Sequence, residues 1–391
     1  MFRYRVCRMD NGEQFTLPVD AVTGVPDPHD VLYLLHLRDG GLAESTLDRL
    51  IRCLGHARYY FVDRRIDLDE RIAGGNYLTN DELAAFAQHC RVGETGRLVT
   101  SARAQARYAP LIAWIEWRAE PVVARTKGDA KVAAELALAR FKERAANKSP
   151  GRVNDDAVAP GERLGLDETQ RELFLRVIRP GDPGNPFRAD LQDRNHVMLM
   201  MLYDLPLRAG EIAALYKADV DTRSNPVVVT IHRRPDNPKD PRKDRPSAKT
   251  RGRVLFLHDS SDIVRKWKDE ALRDRDRFPL ARKHPFFLVN EDGGPLSKRA
   301  ARDVVLTLRK HHPSLASLCQ HILRHTWNDR FVEAEDKLAL SKHESEKRGM
   351  EQKYANGWSE DSTMRRRYTR LSTRKCANKS ILAMQERSKP S

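Results

Sequence analysis

The chain has 391 residues, more than one ordinary domain needs, so two domains with appendages is the expectation. Lys and Arg outnumber Asp and Glu by 70 to 55, a net charge of +15 with the acids spread throughout, which suits a folded protein with a polyanionic partner. Five scattered cysteines (Cys7, Cys53, Cys90, Cys319 and Cys376) with no CxxC or zinc-type spacing argue against a disulfide framework or a zinc module, and no apolar run reaches the roughly 18 residues of a membrane span.

The N-terminus, "MFRYRVCRMDNGEQF", is charged and lacks the apolar core of a signal peptide, so an unexported cytoplasmic protein with reduced thiols is expected. Residues 1–27 read as a β-hairpin element: "RYRVCRM" and "EQFTLPV" flank Asp10-Asn11-Gly12, residues suited to a tight turn. Residues 28–146 turn helical. "DVLYLLHLRDGG" ends in two glycines, and "STLDRLIRCLGHARYYFVD" is expected to open at Ser45 with Leu47, Leu50, Ile51, Leu54, Ala57 and Arg58 on one stripe. "TNDELAAFAQHCR" offers Thr79 or Asn80 as a cap, and "ARYAPLIAWIEWRAEPVVAR" adds a further apolar helix.

Residues 147–164, rich in Pro, Gly, Asn and charge, read as a linker. Residues 165–391 form a second domain in which "LDETQRELFLRVIR" and "RNHVMLMMLYDL" are helical. "PVVVTIH" and "GRVLFLHD" are β-branched runs suited to strands, and the basic, proline-broken segment between them is expected to be an exposed loop. The fold class is therefore mainly α with a small β-sheet: a helical domain followed by an α+β domain.

Four segments of the second domain carry residues that belong together chemically. "LPLRAGEIAAL" holds Arg208 and Glu211, "SAKTRGRVLFL" holds Lys249, "HILRHTW" holds His321 and Arg324, and "GWSEDSTMRRRYTR" holds Trp358 and Tyr368. In this order they resemble the tyrosine recombinase (phage integrase) family, over residues 165 to about 375, and residues 28–146 resemble its helical core-binding domain in position and style. The resemblance implies site-specific breakage and rejoining of double-stranded DNA through a 3′-phosphotyrosyl intermediate, in the service of a mobile element or of DNA resolution. Tyr368 is then the nucleophile, Arg208 and Arg324 grip the phosphate, His321 donates to the phosphate or helps to deprotonate the tyrosine, and Lys249 protonates the leaving 5′ oxygen. Trp358 stands where many relatives carry His and retains an N–H donor, while Glu211 orients the site by pairing with a neighbouring cation.

No cofactor or metal is implied. The expected partners are duplex DNA and further copies of the chain, a dimer on a site and a tetramer in a synapse, with an accessory recombinase or DNA-bending protein possible and no membrane. The tail after Tyr368, with Ile381, Leu382 and Met384, is by the same analogy a docking segment for a neighbouring copy.

Other readings stay open at this level. His321 and His325, four residues apart, have the spacing of a helical metal pair, and Lys239 and Lys243 compete with Lys249. Ten positions separate Trp358 from Tyr368 where nine is usual in the family, and one extra residue rotates a continuous helix by about 100°. A type IB topoisomerase and a DNA-binding regulator without cleavage are the alternatives, and a metal-dependent nuclease lacks its carboxylate cluster.

Overall fold

The first strands form because apolar and polar residues alternate on either side of a turn at Gly12, whose φ of +92° suits glycine. In a computed structural model, which describes residues 2–10, 12–93, 95–151, 165–234, 237–242, 245, 246, 250–338, 341–365, 377, 378, 381, 382, 384 and 385, β1 (Phe2–Arg8) and β2 (Gln14–Asp20) pair antiparallel, with Phe2 opposite Asp20 and Arg8 opposite Gln14. Among the described residues the fold is mainly α with two small antiparallel sheets. It divides into two units, Met1–Pro160 and Gly161–Ser391.

Among the described residues of the first unit six helices follow the hairpin: α1 (Pro28–Asp39), α2 (Glu44–Asp63), α3 (Leu68–Ala73), α4 (Asn80–Arg91), α5 (Ser101–Arg125) and α6 (Asp129–Lys148). The apolar stripe of α2 buries Leu47, Ile51, Leu54 and Phe61 against Phe86 of α4 and Trp114 of α5. Ser45 is not the start of α2. Ala43 is its N-cap and offers no side-chain bond, so Glu44 supplies the first-turn acid instead. Thr79 caps α4, accepting from the backbone N–H of Glu82 while the Glu82 carboxylate accepts from Thr79 N–H. Helix α6 runs to Lys148, into the first residues expected to be linker.

The second unit is built from α7 (Glu168–Val177), α8 (Ala189–Asp204), α9 (Ala209–Ala214), a sheet of β3 (Val220–Asp221), β4 (Val227–Ile231) and β5 (Arg253–Leu257), then α10 (Ser261–Arg265), α11 (Lys298–His311), α12 (Gln320–Asp336) and α13 (Lys342–Asn356). The strands lie antiparallel in the order β3-β4-β5, with Val227 opposite Leu257 and Ile231 opposite Arg253. The core joins Met198 and Leu202 of α8, Ile212 of α9, Val229 of β4, Leu255 of β5 and Leu323 of α12. Unit entry is fixed on α12, where Gly165 N–H donates to Asp329 (2.9 Å) and Leu166 N–H to the Thr326 hydroxyl (2.8 Å). Ile381, Leu382 and Met384 are exposed.

The segment between β4 and β5 is only in part the exposed loop expected: His232, Arg233, Pro238, Lys239 and Pro241 are exposed. Asp240, Arg242 and Thr250 are buried. Arg242 is chelated by both Asp240 oxygens, donates to the carbonyl of Ala213, and lies 4.2 Å from the Phe286 ring centroid. An acid two residues away neutralises the cation, and an aromatic face covers it, so Asp240 and Arg242 are buried as a balanced pair.

Candidate active site

Arg208 is the N-cap of α9, and the spacing Arg208-x-x-Glu211 lets the Glu211 carboxylate accept the Arg208 backbone N–H at 2.9 Å. The Glu211 side chain is fully buried, where an isolated carboxylate is costly. Arg253, the first residue of β5, donates to both of its oxygens at 2.8 and 3.3 Å, and the Thr250 hydroxyl donates to one of them. Burial alone would raise the Glu211 pKa, but the bonds and charge of Arg253 outweigh it and hold the group below the usual carboxylate range. The neighbouring cation for Glu211 is thus Arg253, with Arg208 more distant at 3.6 Å.

Arg253 also donates to the carbonyl of Ala355 at 2.7 Å, joining β5 to the end of α13. That junction needs Gly357, which has a φ of +63° and whose missing Cβ would stand 2.8 Å from Thr250 Cβ and 2.9 Å from Arg253 Nη1. Trp358 follows, buried against Val332 with Met364 packed beside it.

His321 and Arg324 share a face of α12 but not an environment. His321 is exposed, with its ring 4.4 Å from that of buried His325. Arg324 is 1% exposed and donates to two backbone carbonyls, Pro206 just ahead of Arg208, and Asn356 at 2.9 Å. Its guanidinium lies 5.8 Å from the Trp358 ring centroid. Behind it a buried amide network joins α12 to α13: Asn328 donates to the Arg324 carbonyl (2.8 Å), and Gln352 and Asn356 both donate to Asn328 Oδ1 (2.9 Å each).

Arg208 and His321 line one open cavity of about 420 Å³ together with Gln320, Arg302, Leu306 and Arg309. The structure therefore brings Arg208, Glu211, His321, Arg324 and Trp358 into one region, with Arg208 and His321 facing the cavity and the other three behind it. Lys249 and Tyr368 lie outside the described residues. The chain next to them is anchored: Thr250 on Glu211, and Arg365 on Glu335 at 2.8 Å and on the Ser345 carbonyl at 2.9 Å.

Sequence reasoning missed Arg253, Thr250, Asn328, Gln352 and Asn356. For Arg253 a signal existed, because the alternation of "RVLFL" puts it on the buried face with Leu255 and Leu257. A cavity lined by several cations suits a phosphate group. Among the described residues no three His, Cys, Asp or Glu side chains could hold a metal ion together, and no helix is long and apolar enough to cross a membrane.

No protein-family model matches the sequence, and no curated protein matches it. Solved structures do match. The Tn1549 transposon integrase in complex with transposon right end DNA has a TM-score of 0.52 at 15% identity, covering 89% of this chain and 99% of that one. The same integrase with circular intermediate DNA gives 0.49 at 16% identity over 88% of this chain and 99% of that one. XerH site-specific recombinase bound to a palindromic difH substrate gives 0.41 at 13% identity, covering 76% and 94%. The first of these establishes the fold: the chain is folded as a tyrosine recombinase.

Proposed function

We propose that this chain, with its tyrosine recombinase fold, is a site-specific DNA recombinase or integrase that cuts and rejoins strands through a 3′-phosphotyrosyl intermediate. The observation that carries the reading is the meeting of Arg208 and His321, distant in sequence, on one cationic cavity, with Glu211 and Arg253 locked behind them.

The Tyr368 oxygen attacks the phosphorus while His321 takes its proton. The bond from phosphorus to the 5′ oxygen breaks, and Lys249 gives that oxygen a proton. Because the phosphodiester is exchanged for a phosphotyrosyl ester rather than hydrolysed, a new 5′-hydroxyl reverses the step without a nucleotide. Arg208 meets the charge on the non-bridging oxygens. The family resemblance gives Arg324 a second grip on the phosphate. Its two carbonyl bonds add a positioning role, fixing the turn that presents Arg208 and the end of α13 that leads to Trp358.

The task served is exchange for a mobile element or resolution of joined DNA, on duplex DNA, by a dimer on each site and a tetramer in the synapse. The cell compartment that fits is the cytoplasm, at the nucleoid. A second reading, a DNA-binding regulator that does not cleave, is favoured by one observation, the ten-position step from Trp358 to Tyr368.

The test incubates purified protein with nicked duplexes carrying candidate ends from its genetic neighbourhood, in chelator and without ATP. The reading predicts denaturant-resistant protein–DNA adducts that Tyr368→Phe abolishes. Specific binding with no adduct supports the regulator, and an adduct that survives in Tyr368→Phe refutes the assigned nucleophile.

A further inference from the structure

Only part of the cavity wall is used by the proposed chemistry. Arg302, Leu306 and Arg309 of α11 stand at i, i+4 and i+7, hence on one helix face, and all three line the cavity, while Ala301, Val304 and Leu308 of the same helix are buried. Arg302 and Arg309 are exposed, and among the described residues neither pairs with a carboxylate. The one acid of α11, Asp303, instead faces Arg299 at 3.9 Å.

A second observation comes from across the cavity. The side-chain amide nitrogen of Gln320 is buried and has no hydrogen-bond acceptor among the described residues, although a buried donor normally finds one. Gln320 is the first residue of α12, a 17-residue helix whose N-cap, Cys319, makes no side-chain cap bond. The positive end of that helix therefore opens on the cavity. Two unpaired guanidinium groups, an unsatisfied amide donor and an uncapped helix end all ask for an anion. Arg302 and Arg309, seven residues apart, span about 10 Å along the helix. That is roughly three nucleotide steps of a duplex.

We propose that Arg302, Arg309 and Gln320 form a second anion site that holds backbone phosphates of duplex DNA flanking the phosphate to be cut. The inference rests on the recombinase reading for the identity of its ligand. These are positioning residues: they fix the register of the strand over Arg208 and His321, and they touch no reacting atom.

The test uses the full chain and duplex DNA, with binding measured across a salt series and adduct formation measured against DNA concentration. In the double variant Arg302→Ala with Arg309→Ala, the slope of log affinity on log salt falls by about 2, since each phosphate contact contributes roughly 0.9. The DNA concentration for half-maximal adduct rises at least tenfold, while the rate at saturation changes less. The Arg302→Lys, Arg309→Lys pair restores most of the slope, and Gln320→Ala weakens binding without altering it. Both arginines are exposed, so the melting temperature should stay at the wild-type value and serves as the folding control. A wild-type slope in the alanine pair overturns the site, as does a lysine pair no better than alanine. Because the slope is read on binding alone, a protein that never forms an adduct overturns the recombinase reading and leaves this site standing; adduct formation with an unchanged slope does the reverse.

Discussion

Arg58 in the first unit and Arg208 in the second each lie beside a buried carboxylate, yet their surroundings differ. Arg58 is 11% exposed, bonded to Asp30 at 2.7 Å and to Asp27 at 2.9 Å, with Asp69 at 3.8 Å and the Trp114 ring beneath it at 5.0 Å. Arg208 is 35% exposed, and its carboxylate neighbour, Glu211, is held more tightly by Arg253. In the first unit acids surround the cation, which ties α1, α2 and α3 together. In the second, the acid is bonded most closely by a buried arginine, and Arg208 faces an open cavity beside His321. Cationic charge alone does not mark a binding site; the cavity it faces does.

The largest expected effect comes from breaking the second arrangement. Glu211→Ala leaves Arg253 buried without its acid, and losing one partner of a buried pair costs about 3–5 kcal/mol. Denaturant unfolding should show a loss of this size, with DNA binding falling alongside, whereas Glu211→Gln should lose less.

The first unit is predicted to respond to pH instead. Burial, with Arg58 opposing and Asp27 reinforcing, pushes Asp30 up to about 6, against an ordinary 3.8. Its folded value exceeds its unfolded one, so its contribution to stability is present below pH 3.8 and is lost as pH rises through about 6. A shift of this size corresponds to roughly 3 kcal/mol. Asp30→Asn should flatten the difference in stability between pH 4 and pH 7.5 relative to wild type, and an unchanged pH profile would contradict the assignment.

Two left-handed glycines sharpen the contrast further. Gly357→Ala meets both an unfavourable φ and the Arg253 guanidinium, so a loss of about 2 kcal/mol together with loss of adduct formation is expected. Gly75→Ala, at φ +68° with open space around it, should cost about 1 kcal/mol and leave DNA chemistry intact.

The smallest pair concerns capping boxes. Thr79→Ala on α4 and Ser341→Ala on α13 should each cost about 1 kcal/mol in thermal unfolding. Only the second should also slow the reaction, because α13 carries Asn356 and leads into Trp358.

Periodicity made the helical unit legible. The stripe from Leu47 to Ala57 and the cap at Thr79 are local signals, and the valine run of β4 reads as a strand without tertiary knowledge. In the second unit, motif order pointed to Arg208, Glu211, His321 and Arg324 before any geometry. What stayed hidden was polar and buried. Helix α13, "KHESEKRGMEQKYAN", has no apolar stripe, yet Gln352 and Asn356 are fully buried, both donating their side-chain amides to Asn328 Oδ1 on another helix. No local pattern announces a partner 24 or 28 residues away. The β4–β5 segment misled for the same reason: Asp240 and Arg242 look solvated one at a time and are buried as a pair.

The central claim is that the cavity at Arg208 and His321 serves a tyrosine nucleophile. Its most direct test is peptide mapping of the protein after reaction with nicked duplex and nuclease digestion. The account predicts a nucleotide attached through phosphate to Tyr368 alone, and its disappearance in Arg208→Ala. A nucleotide on any other residue, or none where strands have been cut, would contradict it.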